Sequence, residues 1–75
     1  GFKDLGASYE NLVFLKIKEE NPFYYLHNSV EIDFITSKRL IEAKYGRKIE
    51  EKQKEVFDSV KIKEKIIAEG YLFFI

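Results

Sequence analysis

A chain of 75 residues has room for one domain, and at this size only about 60% of the surface of the unfolded chain is buried, so the core must be economical. Thirteen basic and 13 acidic side chains give a formal net charge of zero, which excludes a uniformly basic nucleic-acid binder. Cysteine is absent, which excludes disulfides, thiolate metal sites and a cysteine nucleophile; with no apolar run near the roughly 18 residues that span a bilayer, the expectation is a cytoplasmic domain with no membrane partner.

Methionine is absent even at position 1, so residues 1–75 are expected to be one domain from a processed or longer chain. The stripe Leu5, Tyr9, Leu12 and Val13 predicts a helix over Leu5–Glu20, which Asn21-Pro22 ends by removing the next donor. Glu10 shares a face with Val13, Phe14 and Ile17, so its carboxylate is expected near packed surface. Phe23–His27 reads as a strand, Asn28-Ser29 as a turn and Val30–Thr36 as a second strand. Ser37 and Lys38 form a two-residue loop into Leu40–Tyr45, which Gly46 closes. From Lys48 to about Lys61 a second amphipathic helix carries Ile49, Val56, Phe57 and Val60, with Gln53 completing the stripe, most simply as a polar gap and alternatively as a contact to a site on the sheet or to phosphate. Glu64–Ala68 is a fourth strand and Gly70 a turn. The apolar run Tyr71–Ile75 fits a buried strand, a dimer contact or the cut end of a longer protein. The expected architecture is α/β, in the order α-β-β-β-α-β, with a small mixed sheet flanked by helices.

Alternation along the strands sets Val30, Ile32 and Phe34 on one face with Ile41, Ala43 and Tyr45. Glu31, Asp33 and Ile35 fall on the other with Leu40, Glu42 and Lys44, so one face is expected to be core and the other to carry charge. The two-residue loop places Asp33 opposite Glu42 and Glu31 opposite Lys44. Facing carboxylates destabilise a sheet unless a cation or a shared proton lies between them. Asp33 and Glu42 are hard oxygen ligands of the kind Mg²⁺ prefers, and the Ala43 backbone carbonyl between Glu42 and Lys44 adds a third. Lys44, one pleat repeat beyond Glu42, could orient a water and stabilise charge on phosphorus, while Glu10 could serve a second metal or its waters. Lys38, Arg39, Arg47 and Lys48 nearby could attract phosphate. The plainer alternative is an exposed strand face laced with ion pairs such as Lys44 to Glu31.

The set Glu10, Asp33, Glu42 and Lys44 resembles the core motif of the PD-(D/E)xK phosphodiesterase superfamily, the restriction-endonuclease-like fold. Glu10-Asn-Leu-Val-Phe-Leu, Tyr24-Tyr25, Glu31-Ile-Asp33-Phe and Ile41-Glu42-Ala-Lys44-Tyr-Gly46 look like the C-terminal nuclease-like domain of many archaeal and bacterial AAA-type ATPases, over nearly the whole chain. Ile32 replaces the superfamily's nominal Pro, and Leu26-His27 stands where the ATPase-linked domains tend to carry Trp-Arg. The resemblance implies a minimal restriction-endonuclease-like core acting as a Mg²⁺- or Mn²⁺-dependent nuclease on nucleic acid, DNA foremost. Asp33, Glu42 and the Ala43 carbonyl, with Glu10 as a further candidate, would hold the metal, and Lys44 would support the attacking water. It also implies an AAA-type ATPase domain in the parent chain and a possible homodimer; with no Walker-type loop, these residues themselves are not expected to hydrolyse ATP. The alternatives are a noncatalytic DNA-docking or interaction module from such an ATPase, and a structural dimerisation domain built on Phe73–Ile75.

Overall fold

The computed structural model describes residues 2–70, with side chains from Leu5 onward. The elements are α1 (Phe2–Ile17), a 3₁₀ turn (Lys18–Glu20), β1 (Phe23–His27), β2 (Val30–Ile35), β3 (Arg39–Lys44), α2 (Glu51–Ser59) and β4 (Glu64–Glu69). The expected order α-β-β-β-α-β is observed, while the run Tyr71–Ile75 lies outside the described residues. The first helix tightens to a 3₁₀ turn and stops at Asn21, whose left-handed backbone (φ 55°) lets its N–H reach the Lys18 carbonyl at 3.1 Å. Asn is one of the few side chains that adopt this conformation readily, and Pro22 blocks any continuation.

The sheet order is β1-β2-β3-β4, antiparallel through β3 and parallel between β3 and β4. A parallel pair needs a crossover, and α2 supplies it. Both faces of the sheet are core, which corrects the expectation of one apolar and one charged face. Tyr9, Val13 and Ile17 of α1 pack on Phe34, Ile41 and Ala68, and Val56 and Phe57 of α2 pack on Ile32 and Leu40. With one α-helix on each face among the described residues, the sheet buries apolar surface on both sides, as a small domain requires.

Ile32 and Phe34 belong to different clusters although strict alternation would place them together. Phe23 faces Ile35 and Tyr25 faces Ile32, so β2 carries one extra residue against β1. Such a bulge turns the intervening side chains, and Asp33 lies within it. The second helix begins at Glu51 rather than Lys48, because the Glu50 N–H is capped by Gln53 Oε1 at 3.5 Å and Glu50 accepts the first helical bond from Lys54 N–H at 2.8 Å. Ile49 joins the α2-side core from outside the helix.

Two turns fix the strand registers. At Asn28-Ser29 both residues have positive φ (51° and 64°), the mirror-image turn that suits a two-residue hairpin, and His27 pairs with Val30. After β2, Thr36 N–H bonds the Arg39 carbonyl at 2.9 Å while its hydroxyl oxygen accepts from the N–H groups of Lys38 and Arg39, each at 3.1 Å. The same hydroxyl donates to Glu20 Oε1 at 3.0 Å, and Arg39 bridges Glu20 and Glu64, which ties this loop to the end of α1 and to β4. Ser29 is the weak point of the first turn, since a side chain is disfavoured there. Ser29→Gly is expected to raise the unfolding free energy by about 0.5–1 kcal/mol and Ser29→Val to lower it, read from urea midpoints at constant slope.

Candidate active site

The loop at Ser37-Lys38 gives the expected register: Ile35 pairs with Leu40 and Phe34 with Ile41. One step further, Asp33 stands against Glu42, and there the side chains bridge the two strands. Asp33 N–H donates to Glu42 Oε1 at 3.0 Å, and Ala43 N–H donates to Asp33 Oδ2 at 2.8 Å. Each carboxylate caps an amide of the opposite strand. An amide hydrogen bond to a carboxylate is roughly twice as strong as one to a neutral acceptor, which holds both acids in place.

Glu42 is only 2% exposed, so its charge must be met inside the protein. Besides the Asp33 amide and the Asp33 carboxyl, it meets Gln53 Nε2 at 3.2 Å and Lys44 Nζ at 3.1 Å, both on Oε2. Lys44 therefore pairs with Glu42 on its own strand. Gln53, most simply a polar gap in sequence terms, belongs to the site, as the alternative reading has it. Its Oε1 caps α2, while its Nε2 donates to Glu42 and to the Glu31 carbonyl at 3.0 Å. The signal for it was a Gln three residues after the capping position, on the stripe that faces the sheet.

Glu10 and the small residues Gly6 and Ala7 of α1 close the other side of a cleft of about 330 Å³. All four expected residues, Glu10, Asp33, Glu42 and Lys44, line it together with Ala43. Of the basic group only Lys44 and Arg47 reach the cleft, since Arg39 is spent on Glu20 and Glu64. Among the described residues four acids, with Glu31 the fourth, thus face two bases. Burial pushes the Asp33 carboxyl up to about 7, and the charges of Glu42 and Glu10 add to this while the Ala43 amide opposes it. Glu10 is also raised, by burial first and then by Glu42 and Glu31, with Lys44 counteracting. Among the described residues no three carboxylate, imidazole or thiolate groups converge closely enough to form a metal cage.

The raised Asp33 couples stability to pH. The folded state holds a proton that the unfolded chain releases near 3.8, so the stabilisation is complete below that value and is lost as pH rises toward 7. Asp33→Asn keeps an oxygen for the Ala43 amide and removes the charge. At pH 8 it is expected to be more stable than the parent by about 1–2 kcal/mol, a figure reduced for solvent screening at a part-buried site, and the gain should vanish near pH 4. Urea unfolding across this range checks it, and a gain independent of pH would contradict it. No protein-family model, curated protein or solved structure matches the chain, so the reading of function rests on the chemistry of this cleft.

Proposed function

We propose that this domain hydrolyses phosphodiester bonds in nucleic acid, DNA foremost, with a Mg²⁺ or Mn²⁺ ion held at Asp33 and Glu42. The observation that carries the reading is the convergence of two carboxylates from adjacent strands with Lys44 in one acid-rich cleft. The donor set fits a hydrated hard cation, which needs one or two carboxylates and completes its shell with water and substrate phosphate, not a cage of three or more side chains. Asp33, Glu42 and the Ala43 carbonyl would hold the ion, with Glu10 available to its waters; the ion would supply Lewis-acid activation of water and neutralise phosphate charge.

The chain's own groups have distinct parts. Gln53 and the Asp33 amide fix Glu42, so its carboxylate does not need to be ordered when substrate arrives. Lys44 is held against Glu42 and lines the cleft, where its ammonium can meet negative charge developing on the phosphate oxygens. Glu10, whose proton affinity is raised by burial and by the neighbouring acids, is suited to exchange a proton with water. Among the described residues no helix is long and apolar enough to cross a membrane, and the reading extends to a cytoplasmic parent chain with an AAA-type ATPase domain. Because a lone domain of this size offers little surface for a duplex, a second copy or the attached domain would complete the grip.

A noncatalytic docking module is favoured by one observation: both Glu42 oxygens already have protein partners. The two readings separate when the protein is incubated with single-stranded, duplex and branched DNA and Mn²⁺, beside Glu42→Ala and Lys44→Ala. The nuclease reading expects Mn²⁺-dependent cleavage that falls at least about 100-fold in both variants. It also expects calorimetric Mn²⁺ binding that weakens as pH drops below about 7, where a proton occupies Asp33. Cleavage that survives both substitutions would contradict the assignment, and absence of both binding and cleavage would leave the docking module.

A further inference from the structure

A second concavity opens from the same cleft. The flank of α1 formed by Ala7, Glu10, Asn11 and Phe14, four positions at helical spacing, faces Tyr24 on the edge strand β1 across a trough of about 320 Å³, and Phe34 closes it below. The Phe14 and Phe34 rings are 6.1 Å apart. Phe14 is 37% exposed and Tyr24 72%, whereas Phe34 is buried. The trough shares Ala7 and Glu10 with the carboxylate cleft, and the hollow beside it, which also involves Phe14, Tyr24 and Phe34, includes Asp33. Aromatic surface therefore runs up to the acids.

We propose that this trough is a stacking subsite for an unpaired nucleobase beside the scissile phosphate, which makes the substrate class single-stranded nucleic acid or a duplex with an unpaired nucleotide at the cut. The inference rests on the phosphodiesterase reading of the cleft. Among the described residues Glu10 is the only charged side chain lining the trough, and an acid there repels the phosphate backbone, so the part of a nucleotide that fits is its flat, neutral base. Phe14 and Tyr24 line the trough with partly open aromatic side chains, the kind of group on which any base can stack. Asn11 offers a donor and an acceptor to the base edge. A base inside a duplex is already stacked and paired and would have to be extruded before entering. The high exposure of Tyr24 indicates a small contribution to folding, so it can be changed without unfolding the domain.

Fluorescence anisotropy of the full chain with a short labelled oligothymidylate, single-stranded or annealed to its complement, tests the subsite, with Ca²⁺ in place of Mn²⁺ to spare the strand. The single strand is expected to bind at least about tenfold more tightly than the duplex. Tyr24→Ala should weaken single-strand binding by about 5- to 100-fold, and Tyr24→Phe, which keeps the ring, should restore it. Equal affinity for the two forms, or an unchanged Tyr24→Ala, would overturn the proposal. If Mn²⁺-dependent cleavage is lost in Lys44→Ala while Tyr24→Ala leaves single-strand binding untouched, the subsite falls and the phosphodiesterase reading stands. Neither binding nor cleavage of any DNA would overturn both. Tyrosine fluorescence that responds to a trimethyl-lysine peptide and not to the oligonucleotide would assign the trough to an organic cation and likewise overturn the proposal.

Discussion

The site depends on one exchange of hydrogen bonds, in which Asp33 and Glu42 each accept a backbone amide of the other's strand. It joins β2 and β3 just beyond their paired residues and holds two carboxyl groups together inside the protein. The exchange requires the register that the short loop after Thr36 imposes. A slip of one residue would turn Asp33 away from Glu42 and send core side chains to the opposite face of the sheet, where they would not match the helix packed there. Thr36, Glu20 and Arg39, remote from the cleft, therefore protect its geometry by pinning that loop.

Burying these acids has an energetic cost, and the surroundings offset it unequally. Glu42 is met by an ammonium, a side-chain amide and a backbone amide. Asp33 receives one backbone amide against burial and two neighbouring acids, and the imbalance raises its proton affinity. A small domain with little stability to spare would lose such an arrangement readily if nothing depended on it. Perturbed carboxylates in a cleft are a recognised mark of functional sites, although structural ion-pair networks also produce them. What distinguishes this cleft is its imbalance, four acids against two bases among the described residues, which a proton or a cation can correct.

Much of this was legible in the sequence because it followed from local rules. Asn21-Pro22 marked the end of the first helical segment, Asn28-Ser29 the first hairpin, and the two-residue loop at Ser37-Lys38 set Asp33 against Glu42. The β3-α2-β4 crossover was visible as a helical stripe between two apolar strands. The errors arose where tertiary packing overrode period two. The bulge in β2 sends Ile32 and Phe34 to different cores, and no residue in that strand advertises it. The expectation of a charged sheet face failed because Leu40, next to Ile41, packs under α2, so a short amphipathic helix covers the face that carries Glu42. Gln53 could be placed on that helix, but only the fold shows that one amide caps the helix and holds Glu42.

Function follows from the same economy. The bulged strand, the start of α2 and the flank of α1 meet at one end of the β2–β3 pair, bringing acids, a lysine and open aromatic surface into a small region. The central claim, that the paired carboxylates form a site completed by a proton or a divalent cation, can be tested most directly by ¹³C NMR titration of the Asp33 carboxyl carbon with and without Mg²⁺. The account predicts a midpoint near 7 without metal that moves to lower pH when Mg²⁺ is added. A midpoint in the ordinary carboxylate range, unmoved by Mg²⁺, would contradict it.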